Sequence, residues 1–534
     1  MNLIDTQAGE PQAITSVAQA KDWLAALPLT NVGFAHTALL RAVQQLAPLQ
    51  IPALERLKIL EHLRAAIYEL QTEIIARVAT KPLPHAKSEL EAVHNARQLW
   101  EALSRNYQKC LQAQIDADET MQSHAAFVVQ RCVRTLTAEM LSYYSFYEPV
   151  RPGLWLQLHT LYHYAESQQF ADKNVKESRN PATSAETVKS AYVRALLIAL
   201  ADPYHFSARQ LFELDGWLDK WSLRVNITTK AGKDDSGIPV AIDLKADRGA
   251  TVAFERPDVD SRYLSLDRVG RSVRKRIKFL RDGGDPAEIG LRKDPAKGEY
   301  EQFLAYIYAQ WCESKPGRAC DRHVASSNVD ICFGAAAAYF YINGEQPFAP
   351  PDRKSQVSDA ALRDIQIFGH VTQRSLKRAQ EQAGFELESW RGVNESALGF
   401  CVRREIDQGG RIHHRQLLAL RPPDTEQFVL GSIQWTKVNG DLLELGLELL
   451  AGVPRPVAAR QAGIGGSAHG KYVEAFKLPE VSATKSPPRL ILPAGWFRAA
   501  RIVHLMDGDE KESVKLSELV ERGADYEIVL YTPL

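Results

Sequence analysis

After Gly399 the chain is cut into short apolar or alternating runs: Phe400–Val402, Gln416–Leu420, Phe428–Trp435 and Leu442–Leu450. Gly, Pro, Asp and Asn separate them. Runs this short, alternating with period two, suit strands rather than helices. Asn439-Gly440 precedes the last run and is a hairpin signal, because both residues accept a positive φ. Consecutive strands of this kind are expected to make a small antiparallel β-barrel.

Two motifs stand where the chain enters that region. Arg374-Ser-Leu-Lys-Arg378 is an RxxxR, and sixteen positions after Arg378 comes Asn394-Glu-Ser396-Ala-Leu-Gly399, an NxSxxG. An arginine fork can hydrogen-bond bidentately to guanine O6 and N7 or to phosphate oxygens, and can lie flat on a base. Asn394 and Ser396 are short polar side chains at the end of an expected strand, within reach of base edges or phosphate. Gly399 supplies the turn or close approach that a Cβ would obstruct. RxxxR also occurs at Arg318/Arg322 and Arg411/Arg415, so the order and spacing of the two motifs carry the signal. The bland alternative makes Arg374, Lys377 and Arg378 the solvated face of a helix over Leu362–Gln382, with Asn394 and Ser396 as turn residues.

This pair of motifs, followed by GSIQWTKVNGDLLELGLELL with Gly446, resembles PilZ domains, bacterial receptors for cyclic di-GMP. The resemblance covers about residues 370–450. It implies that Arg374 and Arg378 grip guanine and phosphate while Asn394, Ser396 and Gly399 line the floor. Lys377 and Arg391 add nearby charge. Two positions depart from the family pattern: Asn394 stands where Asp is more usual, and Gln373 where many members carry another arginine. Asparagine keeps the reach and gains a donor but loses the charge, which bears on affinity more than on fold. The longer pattern is similar to multi-domain bacterial proteins with a helical N-terminal half and a C-terminal PilZ domain.

Upstream, Leu54, Leu57, Leu60, Leu63, Ile67 and Leu70 recur every three or four positions, the stripe of an amphipathic helix that needs partners to cover it. Thr37–Leu46, Ser88–Gln112 and Ala125–Phe146 are the expected partners, broken by Pro82 and Pro84. The middle of the chain is mixed. Strands are expected at Leu223–Thr228, Pro239–Leu244, Thr251–Phe254 and Val329–Phe333, and helices at Arg268–Arg281, Glu299–Glu313 and Gly334–Tyr341. Residues 343–360 are rich in Pro, Gly and charge, as a linker would be.

At 534 residues the chain is too long for one core. Its 65 Lys and Arg balance 65 Asp and Glu, which argues against general polyanion or nucleic-acid binding. The Lys275, Arg276 and Lys278 helix is best taken as a solvated face. Six scattered cysteines without a CxxC suit a reducing compartment. With no signal-like start and no long apolar run, a cytoplasmic location is expected. His159 and His163 lack the carboxylate of a metal helix, and Cys312, Cys320, His323 and Cys332 lack zinc spacing. Gly463–Lys471 has GxxxxGK, but Tyr472 stands where a phosphate loop needs Ser or Thr.

The expected architecture is multidomain α+β. It comprises a helical bundle over 1–168, a mixed α/β region over 182–345, a linker over 346–370, a PilZ-like β-barrel over 371–455 and a β extension over 456–534. The expected function is a non-enzymatic cyclic di-GMP receptor without metal or cofactor. Its helical half would meet an unknown protein partner, and self-association is possible. The alternative is a protein-interaction adaptor whose barrel no longer binds nucleotide.

Overall fold

A computed structural model describes residues 13–177, 185–231, 240–252, 258–291, 298–313, 323–324, 327–351, 384–423, 425–462 and 470–534. Within these, the chain forms two compact units. The first comprises Met1–Lys81, His85–Val273 and Ile307–Lys315, and the second Pro82–Pro84, Arg274–Tyr306 and Pro316–Leu534.

The first unit is built on helices α1 (Ala53–Ala79), α2 (Lys87–Ile115), α3 (Ala125–Ser145), α4 (Leu154–Ser167) and α5 (Val188–Leu200). The leucine stripe is buried as expected, at Leu57, Leu60, Leu63, Ile67 and Leu70. The same helix also buries Arg64, which apolar periodicity gives no reason to place inside. Its guanidinium makes a bidentate pair with Glu177, at 2.8 and 2.7 Å. Arg131 of α3 holds Glu61 of α1 through two bonds and reaches Glu177 at 3.1 Å. Two positive and two negative charges are thus arranged so that each faces an opposite charge, the condition for burying ions at tolerable cost.

His159 is buried, and its ring nitrogens meet the Tyr192 hydroxyl at 2.6 Å and the Arg248 carbonyl at 2.9 Å. His163 faces Glu166 at 3.7 Å, so the two histidines are committed separately. Three of the expected middle strands, at Asn226–Thr228, Val240–Asp243 and Thr251–Val252, form a four-stranded sheet with Ser261–Ser265, a strand not expected, which pairs the first two.

The second unit contains two barrels. The first is made of β1 (Asn328–Phe333), β2 (Glu388–Ser396), β3 (Gly399–Glu405), β4 (Leu417–Arg421), β5 (Val429–Asn439) and β6 (Leu442–Leu449). Their order is β3-β6-β5-β4-β1-β2, and a further β2–β3 pairing joins the ends into an antiparallel ring. The barrel expected from the runs after Gly399 therefore closes with a strand from far upstream, β1. Four downstream runs and the motif strand would otherwise leave two open edges, which β1 bridges. Trp390, Val402, Leu418, Ile433, Leu443, Leu445 and Leu447 are buried on its inward-facing positions.

Residues 456–534, expected as strands that extend the barrel or form a second small β module, close on themselves. Strands β7 (Arg455–Gln461), β8 (Val473–Leu478), β9 (Arg489–Pro493), β10 (Ile502–Asp507), β11 (Glu510–Arg522) and β12 (Tyr526–Pro533) form a closed barrel in the order β7-β8-β9-β12-β11-β10. Its interior packs Val457, Leu490, Val503, Val514 and Val529. The opposite faces of β8, β9 and β12 present Phe476, Ile491 and Ile528 to a second core shared with Leu417, Ala419 and Leu430 of the first barrel. Helix α6 (Ala335–Ile342) contributes Ala338 and Phe340 to that shared core.

Candidate functional site

The NxSxxG motif is the hairpin between β2 and β3. Directly opposed residues of an antiparallel pair share a face, so the register sorts the motif into rungs. The rung nearest the turn is Ser396–Gly399–Glu448–Ser432, running across β2, β3, β6 and β5. The next is Val324–Asn394–Cys401–Gly446–Trp435, which starts in the short strand His323–Val324. The third is Asn328–Arg391–Arg403–Glu444–Lys437. All three lie on the outer face, because Leu443, Leu445 and Leu447, which alternate with Glu444, Gly446 and Glu448, fill the interior. Successive rungs on β3 are about 7 Å apart.

Asn394, Ser396, Gly399 and Arg391 are thus brought to one surface. Because Arg391 and Asn394 are three positions apart, Val393 must be taken up as an extra, unpaired residue. The register slips between Cys401 and Val402, so Asn394 and Arg391 face the same way although they are three positions apart. Such a bulge re-aims side chains at a strand end.

Gly399 is required by close approach. A Cβ there would lie 2.1 Å from the Leu447 carbonyl oxygen, so no other residue fits without moving β6. The Ser396 hydroxyl donates to the Gly399 carbonyl at 3.3 Å, which steadies the turn. Gly446 is likewise needed: a Cβ there would meet the Trp435 indole nitrogen at 1.8 Å, so the indole lies directly over the glycine. Trp435 escaped the sequence reading as a site residue. A glycine opposite a tryptophan in adjacent strands was the available signal.

The surface is polar at one end and apolar in the middle. Val324 is 87% exposed beside Asn394, and Leu398 at the hairpin tip is also exposed. Glu448 keeps solvent access, but desolvation by its crowded neighbourhood and the charge of Glu521 push its carboxyl up, against Arg415 and Arg489. Arg404, next to Arg403, points the other way. It is buried over the Trp390 ring at 4.8 Å and pairs with Glu388 at 3.3 Å. Burial holds its guanidinium below the ordinary arginine value.

Arg374, Lys377 and Arg378 lie outside the described residues, as does most of the GxxxxGK stretch. So does Cys320, while Cys332 is buried in the shared core between the barrels. Among the described residues no group of three or more His, Cys, Asp or Glu is placed to hold a metal ion. None of the described helices is long and apolar enough to cross a membrane.

An apolar middle and short polar groups, placed beside a backbone that approaches closely, suit a flat heterocycle with hydrogen-bonding edges. Comparison with known proteins finds family matches at both ends of the chain. Residues 18–232 match the domain described as "Cyclic-di-GMP receptor FimW, N-terminal domain", and residues 457–534 match the "FimW C-terminal beta-barrel domain". The latter is the second barrel. A curated relative, the cyclic-di-GMP receptor FimW of Pseudomonas aeruginosa, is 21% identical over 543 residues, which span 92% of this chain and 87% of the relative.

Proposed function

We propose that this chain, related along most of its length to a cyclic di-GMP receptor, is itself a receptor that binds cyclic di-GMP on the outer face of its first barrel. The observation that carries the reading is the gathering of Asn394, Ser396 and Gly399 on one exposed surface beside Val324 and Trp435. In this reading Asn394 and Ser396 hydrogen-bond the guanine edge or phosphate, and Gly399 lets the ligand sit close to the backbone. Val324 and the Trp435 indole give the purine an apolar neighbour. Arg374 and Arg378 supply the forks that grip guanine and phosphate, with Lys377 and Arg391 adding charge.

The protein acts by binding rather than turnover, and ligand binding alters how the helical unit meets a protein partner. The place of the two motifs at the entry to the barrel supports that coupling, since a ligand held by both would tie the residues before the barrel to its wall.

Calorimetric titration of the full chain with cyclic di-GMP tests this, with GTP as control and an Arg374→Ala/Arg378→Ala variant alongside. Saturable binding that the double variant loses is the expected result. Folded wild-type protein that gives no binding would leave the adaptor reading in its place.

A further inference from the structure

The third rung sets two arginines side by side. Arg391 on β2 and Arg403 on β3 are register partners on the outer face, with Cβ atoms about 5 Å apart as opposed residues are. Like charges in that relation destabilise a sheet. Glu444 lies beyond Arg403 in the same rung, yet no ion pair joins it to Arg403 among the described residues, and none joins Arg391 to a carboxylate. The next residue, Arg404, shows what a structural arginine looks like here: inward, buried, stacked on Trp390 and paired with Glu388. Arg391 and Arg403 have none of these contacts.

Two unpaired guanidiniums on the motif's own surface, two rungs (about 13 Å) from Gly399, make a fork that fits a phosphodiester. We infer that Arg403, together with Arg391, forms a second anion-binding rung that takes a phosphate of a ligand lying lengthwise from the hairpin turn. Arg403 is then a ligand-contacting residue outside both motifs. Glu444 sets the limit of the subsite, because its carboxylate opposes an anion approaching from that side. The inference rests on the cyclic di-GMP reading above.

The test is calorimetry of the full chain with cyclic di-GMP at several salt concentrations, comparing wild type with Arg403→Ala, Arg403→Lys and Glu444→Gln. Arg403→Ala is expected to weaken binding by about ten- to a hundredfold, the worth of charge-assisted hydrogen bonds. It should also make affinity less dependent on salt. Arg403→Lys keeps the charge but loses the fork, so its affinity falls between the two. Glu444→Gln tightens binding severalfold. Thermal melting of Arg403→Ala at or above the wild-type temperature separates this from a structural role, because relief of repulsion cannot destabilise. Wild-type affinity and salt dependence in Arg403→Ala would overturn the inference and leave the receptor reading standing. Absence of binding in wild type would overturn both.

Discussion

The carboxylate of Asp525, in the second barrel, accepts the backbone N–H of Leu417, in the first, at 2.9 Å. Its other oxygen accepts the Ala335 N–H at 3.1 Å, where α6 begins. One side chain thus satisfies two amides that β-ladder and helix leave open.

Asp525→Ala should strand both donors and lower the stability of the two-barrel unit by about 1–3 kcal/mol for each. Burial raises this carboxyl above its ordinary 3.8. A raised value means the contribution is fully present below 3.8 and is lost as pH rises through the folded value. Asp525→Asn does not titrate. Urea unfolding across pH should therefore show wild type losing ground to Asp525→Asn as pH climbs past that window.

In the helical unit the sign is reversed. The guanidiniums of Arg64 and Arg131 hold the Glu177 carboxyl well below the usual carboxylate range, although burial alone would raise it. Its contribution is present above 4.5 and disappears as pH falls through the lowered value. Glu177→Gln leaves buried arginines without their counter-charge and should cost about 3–5 kcal/mol near neutral pH. Helical circular dichroism during unfolding checks this, and the deficit should shrink in strong acid.

Gly399→Ala and Ser396→Ala separate fold from ligand. The alanine at 399 must push aside the Leu447 carbonyl and should cost about 1–3 kcal/mol or more, read as a lower melting temperature. Removing the Ser396 hydroxyl gives up one long bond at a surface turn, so stability should change by only about 0.5 kcal/mol. Its effect belongs in the cyclic di-GMP titration, as weaker binding.

Arg404→Ala should behave unlike Arg403→Ala. It removes a buried partner of Glu388 and the cation over Trp390, for a loss of about 1.5–3 kcal/mol in denaturant unfolding.

Helix α1 and the strands after Gly399 were legible because their order is local: a period of 3.6 or of two shows in any short window. Strand β1 was legible as a strand but not as part of the barrel, because its partner β2 lies far along the sequence. The second barrel was visible only as strands, since closure is a relation between β7 and β10. Buried Arg64 and Arg131 look like solvated charge until the partner at Glu177 arrives from far along the sequence. Asn394, Ser396 and Gly399 were singled out by their motif, and the register brings them to one face. Arg403 and Arg404 were indistinguishable until the direction of each was fixed by the register.

The bulge at Val393 makes the site a matter of phase. Arg391 and Asn394 share a surface only because one residue is counted on β2 that β3 does not count. Pairing Val393 in a regular ladder, without the bulge, would turn the charged rung and the motif rungs to opposite sides of the wall. A sheet can thus keep its hydrogen bonds and split one surface in two through a slip of one in register, with no side chain altered. In this barrel the position of the extra residue decides which side chains share the outer face as much as their identities do.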